Sequence, residues 1–317
     1  MYRLIILTLQ QTPKIGHTTI EKLMTLSDFS EIETPANIVD LLENAKKEYG
    51  RIVVPKLDTV AEAWEKAEAL IEKSDKLGIK IVSIFSDDYP RKLLQIKDHP
   101  HILHVKGNVE ALNSDCIAVV GSRKATDYGI SKTKELTSIL VKNDYSIVAG
   151  LAEGVDAAAH EATLDSNGTT IAVLAHGLDS VYPKSNKHLA NAIIQTGGAL
   201  VSEYPIGTKA NKSNFVNRNK IQSGLSSGVI IVQSSIKSGT MHTAKFCKEQ
   251  GRLLCVLVPS LELLESSKFA GNLQLINEHS VDVVIKYTQD DDFISKLKSK
   301  ENEQKPKATQ QFYLDSF

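Results

Sequence analysis

The chain has 317 residues and a mass of 34.7 kDa, with 42% hydrophobic residues, 24% charged residues, three cysteines and a formal net charge of −1. This composition is typical of a globular protein that buries a core without cross-links, and the length accommodates a large domain and a small one. The cysteines lack C-x-x-C spacing, which argues against a disulfide framework or a cysteine-rich zinc site. Neither a membrane-spanning run nor a signal peptide is recognisable, so we expect a cytoplasmic protein without membrane contact.

Charge is unevenly distributed along the chain. Residues 21–75 contain 13 acidic and 7 basic residues, whereas residues 205–252 contain 8 basic residues and a single acid, Glu249. A basic segment of this kind favours a polyanionic partner. Charge alone leaves open the alternative of a solvated face that distant acidic segments neutralise.

The predicted elements fall into three parts. Residues 1–78 form a small helical domain, with helical patterns at 15–26 and 60–77. In residues 79–288, apolar runs typical of buried strands alternate with helical patterns, which predicts an α/β fold with a parallel sheet covered on both faces. The strands are predicted at 79–85, 102–105, 116–120, 146–148, 170–174, 199–201, 229–232, 253–258 and 281–285. Residues 289–317 are polar and are predicted to form a short frayed helix and a disordered tail.

The strongest local motif lies in residues 116–129. A predicted strand ends at Gly121, and a helix begins near Asp127. Glycine permits a close approach of the backbone, and Ser122 and Arg123 supply donors suited to phosphate. The same pattern occurs in ordinary strand-to-helix turns, so by itself it leaves a phosphate site and a plain turn equally open.

A second candidate phosphate site begins at Ser238, Gly239 and Thr240, which open a helix after another predicted strand. Carboxyl ends of parallel strands meet at one edge of the sheet, where open α/β sheets bind ligands. Between the two motifs, a basic loop leads into a helix that carries Phe215 close to Lys212. An aromatic ring that stacks a base beside cations that hold phosphates is typical of single-strand binding, although an isolated Phe215 is also compatible with a core position.

Other polar residues in these motifs receive structural interpretations. Asp156 is predicted to cap the helix that follows Gly154, and His160 in that alanine-rich helix is predicted to be structural. No histidine or carboxylate cluster has metal-ligand spacing in the sequence. We therefore expect no catalytic residue, no metal and no cofactor.

Taken together, GSRKATDYG, AGLAEGVDAAAH, TIAVLAHGLDSVYP, SEYPIGT, NFVNRNKIQSGLS and SGTMHTA resemble the DNA-processing protein A family, called DprA or Smf, over roughly residues 85–285. The resemblance implies an extended Rossmann-like parallel sheet with a small, helix-hairpin-helix-like N-terminal domain. It further implies a homodimer, and the residues described above lead us to expect no enzymatic activity. Such a protein binds single-stranded DNA, protects incoming DNA and loads a RecA-type recombinase during natural transformation.

The motifs and the resemblance together predict a set of DNA-binding residues. These are Gly121, Ser122, Arg123, Lys212, Asn214, Phe215, Arg218, Asn219, Lys220, Ser238, Gly239, Thr240 and Lys248. The sequence departs from the family pattern at Glu153, where members usually carry a basic or neutral residue, and at Lys14, which replaces a hairpin glycine. Because the N-terminal region is also acidic, we do not expect it to grip DNA.

Two other functions remain open at this point, a phosphoribohydrolase-like enzyme and a sensor of a small nucleotide. Phosphoribohydrolases of related fold carry a catalytic glutamate where this chain has Thr243, which argues against the enzyme. Separately, residues 311–317 have the Q-x-x-L-x-x-F spacing of sliding-clamp-binding peptides. A terminal apolar segment that packs on its own domain is the interpretation we prefer.

Overall fold

A computed structural model describes residues 1–286 and 291–304 of the chain. Within this part, helices and strands alternate from residue 79 onward. The helices are α1 (Tyr2–Gln11), α2 (His17–Leu26), α3 (Pro35–Tyr49), α4 (Leu57–Lys76), α5 (Arg91–Leu94), α6 (Asp127–Lys142), α7 (Val155–Asp165), α8 (Lys187–Gln195), α9 (Lys212–Leu225), α10 (Thr240–Glu249), α11 (Ala270–Asn277) and α12 (Asp291–Gln304). The strands are β1 (Ile79–Ser83), β2 (Ile102–Gly107), β3 (Cys116–Val120), β4 (Ser146–Ala149), β5 (Thr170–Val173), β6 (Ala199–Ser202), β7 (Gly228–Ile231), β8 (Leu253–Leu257) and β9 (Val283–Ile285).

The N-terminal region is helical, as the sequence predicts, and consists of α1 to α4. Helix α3 begins with a capping box in which Thr34 and Asn37 bond each other's backbone N–H groups, and Pro35 follows the cap. The four helices share one apolar core with Ile81 of β1 and Ile102 of β2. The helical region therefore packs on one edge of the sheet through common buried side chains.

The nine strands lie in the order β1-β2-β6-β5-β4-β3-β7-β8-β9. From β6 to β9 every neighbouring pair is parallel, and strands such as β3 are buried along their whole length beneath helices on both faces. The predicted α/β, Rossmann-like class is confirmed. The expectation of a purely parallel sheet is wrong at one edge, because β1 and β2 pair antiparallel and β2 joins β6 antiparallel.

The order of the strands determines where a ligand site can form. Strand β3 lies between β4 and β7, and the winding of the chain reverses at β3. The loops that follow β3 and β7 therefore leave in opposite directions and open a crevice at the carboxyl ends of these strands.

Helix α12 belongs to the folded core. Phe293, Ile294 and Leu297 are buried against the face of the sheet that contains Leu253 and Ile285. The predicted short helix is present at residues 291–304, and it is docked on the sheet, whereas the sequence predicted a frayed helix. The proposed clamp-binding peptide at 311–317 lies outside the described residues. Among those residues, no helix combines the length and apolarity that a membrane crossing requires.

Candidate functional site

A cavity of about 270 Å³ lies at the crevice between the ends of β3 and β7. Nine of the thirteen predicted DNA-binding residues line it, namely Gly121, Ser122, Arg123, Phe215, Arg218, Asn219, Ser238, Gly239 and Thr240. The cavity thus joins three sequence motifs that are separated by up to about 120 residues. Lining residues that the sequence motifs did not identify as binding residues include Asp156 and Gln222.

The turn after β3 is held between two neighbouring segments. A Cβ atom at Gly121 would lie 2.6 Å from Val155 Cγ2 and 3.0 Å from the Gln233 carbonyl oxygen, so a side chain does not fit there. The Ser122 N–H donates to the Gln233 carbonyl at 2.8 Å. With the backbone anchored in this way, the side chain of Arg123 is presented to solvent at the rim of the cavity.

The predicted anion site at the start of α6 is largely closed. The Thr126 hydroxyl accepts a hydrogen bond from Gly129 N–H at 3.1 Å and donates to Gln233 Oε1 at 3.0 Å. Gln233 Oε1 also accepts from the Thr126 N–H at 3.0 Å. Because protein groups satisfy these donors, the anion-binding capacity of this motif is reduced to the turn at Ser122 and Arg123.

The start of α10 forms the opposite wall of the cavity. Gly239 precedes the helix and makes no side-chain capping bond, while the Ser238 hydroxyl accepts from the Thr240 N–H at 3.2 Å. Asn219 Nδ2 donates to the Gly239 carbonyl at 3.2 Å and ties this turn to α9. This helix start faces the cavity with its partial positive charge, as the sequence predicts for the second phosphate site.

Two aromatic rings and one cation lie side by side at the rim. The guanidinium carbon of Arg123 lies 4.7 Å from the ring centroid of Phe215, and the ring of Tyr182 is 5.9 Å from that of Phe215. These three residues and Glu153 line a smaller cavity of about 110 Å³. Phe215 is half-buried, which excludes the alternative that it is a core residue. Tyr182 was not among the predicted site residues, although the Tyr-Pro pair that follows a buried strand is a visible signal.

Two buried side chains of opposite charge, Arg218 and Asp156, underlie the cavity. Arg218 is 5% exposed and donates from Nη1 to the Val173 carbonyl at 2.7 Å, while Asp156 accepts from the N–H of Gly150 at 3.1 Å and of Ala152 at 3.4 Å. Burial raises the pKa of Asp156, against the opposing effect of Arg218. Burial likewise lowers the pKa of Arg218, against the opposing effect of Asp156. Each charge therefore stabilises the other in a dry environment.

The position of Asp156 corrects its predicted role. Gly154, with φ +80°, precedes α7 and makes no side-chain capping bond. The Asp156 carboxylate instead bonds backward to the loop after β4. Asp156 thus shapes the floor of the cavity and does not cap the helix.

The cavity walls contain two donors without an acceptor. Among the described residues, Nε of Arg218 and Nε2 of Gln222 are buried and have no hydrogen-bond partner. Gln222 is 1% exposed and lies one turn after Arg218 on α9. Buried donors are almost always satisfied in native proteins, so these two donors are available to the acceptors of a water molecule or of a ligand.

The remaining predicted residues divide into two groups. Lys212 and Asn214 lie in the first turn of α9, which also carries Phe215; neither lines the cavity, and Lys212 is exposed. Lys220 and Lys248 do not line it. Lys220 donates to the Asp98 carbonyl at 2.6 Å, and Lys248 lies at the far end of α10. The sequence could not separate Arg218 from Lys220, because two residues along a helix rotate a side chain to another face.

Two residues bear on the alternatives left open by the sequence. Thr243, at the position of the missing glutamate, is 1% exposed and lines the cavity.

His160 is fully buried, and its Nδ1 forms a hydrogen bond with Thr170 Oγ1 at 2.6 Å. Burial lowers the pKa of His160 to about 3. His160 is therefore a neutral structural residue, as predicted.

Comparisons with known proteins show which family the chain resembles. Residues 80–298 match the family described as DNA recombination-mediator protein A. The chain is 42% identical over 167 residues to protein Smf of Escherichia coli strain K12, and 40% identical over 185 residues to DNA processing protein DprA of Bacillus subtilis strain 168. These matches cover 53% and 58% of this chain, and 45% and 62% of the two relatives. The chain thus spans roughly half the length of the curated relatives it matches.

Solved structures extend the likeness to the N-terminal region. DNA processing protein A from Streptococcus pneumoniae aligns with 93% of this chain and 98% of its own, with a TM-score of 0.76 and 29% identity. DNA processing protein A from Helicobacter pylori, whose structure is described for its single-stranded DNA binding mode, aligns with 70% of this chain and 96% of its own, with a TM-score of 0.61 and 29% identity. Since the family match covers more than half of the chain and the fold agrees with it, this protein belongs to the DNA recombination-mediator protein A (DprA/Smf) family.

Proposed function

We propose that this protein binds single-stranded DNA at the crevice formed by the ends of β3 and β7. The observation that carries the proposal is the pairing of Arg123 with Phe215 at 4.7 Å on the rim of the cavity. A half-buried ring offers a stacking surface to a base, and an exposed guanidinium beside it offers a partner to a phosphate. The relatives named for DNA processing, and the Helicobacter pylori structure described for single-stranded DNA binding, support this assignment.

In this proposal, the walls of the crevice bind different parts of the single strand. Arg123 and Lys212 bind successive backbone phosphates, and Phe215 with Tyr182 stacks an unpaired base. The start of α10 and the unsatisfied donors of Arg218 and Gln222 donate hydrogen bonds to a phosphate or to the edge of a base inside the cavity. A duplex binds less well because its bases are already stacked and paired.

The nucleotide-binding alternative makes a different prediction for the same cavity, whose volume of about 270 Å³ is of nucleotide size. Titration of the protein with a fluorescent single-stranded oligonucleotide, with the matching duplex and with AMP distinguishes single-stranded DNA binding from small-nucleotide binding. We expect tight, salt-sensitive binding of the single strand, weaker binding of the duplex and little competition by AMP. Competition by AMP at concentrations near those of the oligonucleotide would instead establish a small-nucleotide site.

We propose further that the protein has no enzymatic activity of its own. Asp156 is the only carboxylate among the residues that line the larger cavity, and two backbone N–H groups and a buried arginine engage it. A general acid or base must reach a proton of the substrate, and a carboxylate held in this way is poorly placed to do so. Incubation of DNA or AMP with pure protein should leave both unchanged.

The cellular role we propose is that of a recombination mediator in the cytoplasm, which protects incoming single strands and loads a RecA-type recombinase as a homodimer during natural transformation. Membership of the recombination-mediator family supports this role. The test is recombinase assembly on single strands coated with a single-strand-binding protein, with and without this protein. Faster assembly with the unsubstituted protein, but not with Arg123→Ala, supports loading. If the unsubstituted protein binds DNA but leaves the rate of assembly unchanged, the loading role is contradicted.

A further inference from the structure

Three potential metal ligands converge outside the DNA crevice, where the N-terminal helices meet the sheet. His17 and Glu21 are one turn apart on α2, and His101 immediately precedes β2. One ligand atom of each side chain lies within 4.8 Å of the others. His101 lies 84 positions after His17 and 80 positions after Glu21, so no spacing pattern in the sequence reveals this cluster.

The hydrogen bonds of His17 determine which of its nitrogens is available. His17 Nε2 lies 2.9 Å from the carbonyl oxygen of His99, and this contact requires Nε2 to carry a proton and donate it. In the neutral ring, Nδ1 is then an unprotonated acceptor. Nδ1 lies 3.6 Å from Glu21 Oε1, so this nitrogen and the carboxylate are close enough to share one cation. Such an orienting bond to a backbone carbonyl is typical of metal-ligating histidines.

His101 supplies the independent observation. It is 1% exposed, and among the described residues its Nε2 is buried without a hydrogen-bond partner. A buried imidazole nitrogen with no partner is available to bind a metal ion.

We propose that His17, Glu21 and His101 form a binding site for a divalent first-row transition metal ion, with Zn²⁺ as the representative. Two imidazoles, one carboxylate and an open fourth position for water make up a donor set that suits Zn²⁺. Nitrogen and oxygen ligands at about 2.0–2.2 Å from a tetrahedral ion lie about 3.4 Å apart. The 3.6 Å gap between His17 and Glu21 is close to this value.

Binding requires a modest rearrangement of His101. Its ring is stacked on that of His17, with centroids 4.0 Å apart and an angle of 21° between the planes. Rotation of one imidazole out of the stack brings both lone pairs toward a common point. The neighbouring Lys220, whose charge also lowers the pKa of His101, opposes a cation, and Glu21 supplies the compensating negative charge.

The consequence of metal binding is a link between two parts of the fold. Helix α2 belongs to the N-terminal helical region, and His101 leads into the sheet. An ion held by both would restrain the N-terminal region against the sheet and resist its local opening. This role is independent of the DNA crevice and of the proposed function.

The test is calorimetric titration of tag-free, chelator-treated full-length protein with Zn²⁺. We expect binding of one ion per chain and a melting temperature that rises with zinc. His17→Gln and Glu21→Gln, which alter half-exposed side chains, should each weaken binding at least about 10-fold, because loss of even an outer partner of a metal ligand has effects of that size. His188→Gln, an exposed histidine on α8, is the matched control and should bind as the parent does.

Hydrogen exchange gives a second readout that does not depend on affinity. Zinc should slow exchange in α2 and in the segment before β2 of the parent protein, and it should leave exchange in the Glu21→Gln protein unchanged. Absence of stoichiometric binding, or binding that survives both substitutions, would overturn the site. Binding through the buried cysteines would be recognised with Co²⁺ by a thiolate charge-transfer band, and this outcome would also contradict the proposal.

Discussion

The guanidinium group of Arg123 lies over the ring of Phe215, with 4.7 Å between its central carbon and the ring centroid. The two residues come from different motifs, the turn after β3 and the first turn of α9. Their contact orders the arginine, which forms no ion pair with a carboxylate in residues 1–286 and 291–304, so its charge remains available for a phosphate. Arg123 covers one face of the Phe215 ring, so a base can stack only on the opposite face.

Salt dependence tests the phosphate contacts. Arg123→Ala and Lys212→Ala should each weaken single-strand binding for all sequences and reduce the slope of log affinity against log salt by about 0.7, because each removes one neutralised phosphate. Lys248→Ala is the matched control, since Lys248 is exposed but lies at the far end of α10. Anisotropy titrations at several salt concentrations measure the slopes. Equal slopes for the parent, Arg123→Ala and Lys212→Ala proteins would contradict the site.

Stacking should depend on the ring itself. Phe215→Leu keeps an apolar side chain but removes the aromatic face, and we expect it to cost about 1–3 kcal/mol of binding free energy with little change in the salt slope. Because Phe215 is half-buried, the melting temperature should change little. Binding that weakens only together with loss of folded structure would show that Phe215 acts through stability.

Glu153 places a negative charge beside the proposed base site. Its carboxylate accepts a hydrogen bond from Ser185 Oγ at 3.1 Å and lines the smaller cavity with Arg123 and Phe215. Glu153→Gln removes the repulsion of phosphates and should tighten single-strand binding by roughly 0.2–1 kcal/mol, the range for exposed charge pairs. Glu65→Gln on α4 serves as the control for net charge. Equal effects of the two substitutions would show that only the overall charge matters.

Lys14 adopts a backbone conformation that favours glycine. Its φ is +68°, in the turn between α1 and α2 where the related hairpin motif has glycine. Lys14→Gly should raise the free energy of unfolding by about 0.5–1 kcal/mol, since relief of strain exceeds the larger entropy of the unfolded chain. Lys14→Ala retains a Cβ atom and should show no such gain. Urea unfolding of the three proteins measures the difference.

Acid should destabilise the fold through buried histidines. Burial lowers the pKa of His101 and of His160 to about 3 and that of His104 to about 4, against an ordinary value of 6.5. Between pH 6.5 and these lower values the unfolded chain binds protons that the folded chain does not. Stability therefore falls as the pH is lowered through this window, by up to about 1.4 kcal/mol per pH unit for each histidine.

Substitution of one histidine isolates its share of this dependence. His160→Gln removes one titrating group. The free energy of unfolding of this variant should therefore depend less steeply on pH between 4 and 6 than that of the parent, whatever the stability of the variant at neutral pH. Urea unfolding across this range measures the slope. A slope equal to that of the parent would show that His160 does not titrate as its burial requires.

The sequence alone determined the strands and identified most of the predicted residues that line the crevice. Runs such as 116–120 and 253–257 are apolar throughout, a pattern that only a strand buried on both faces sustains, and every predicted strand is present. Glycines that end strands, such as Gly121, identified the turns that approach other segments closely. Because carboxyl ends of parallel strands converge, motifs far apart in the chain could be assigned to one site.

Only the tertiary structure decided which side chains act together. Gln233 closes the start of α6 from 107 residues away, and Asp98 holds Lys220 on another face of α9. Contacts of this kind depend on the order of the strands, and the antiparallel edge formed by β1 and β2 shows that alternation of strands and helices does not define that order. The cluster of His17 with His101 arises for the same reason. Local propensity and periodicity act over a few turns of the chain, whereas side chains from distant segments meet only after the hydrophobic faces have packed.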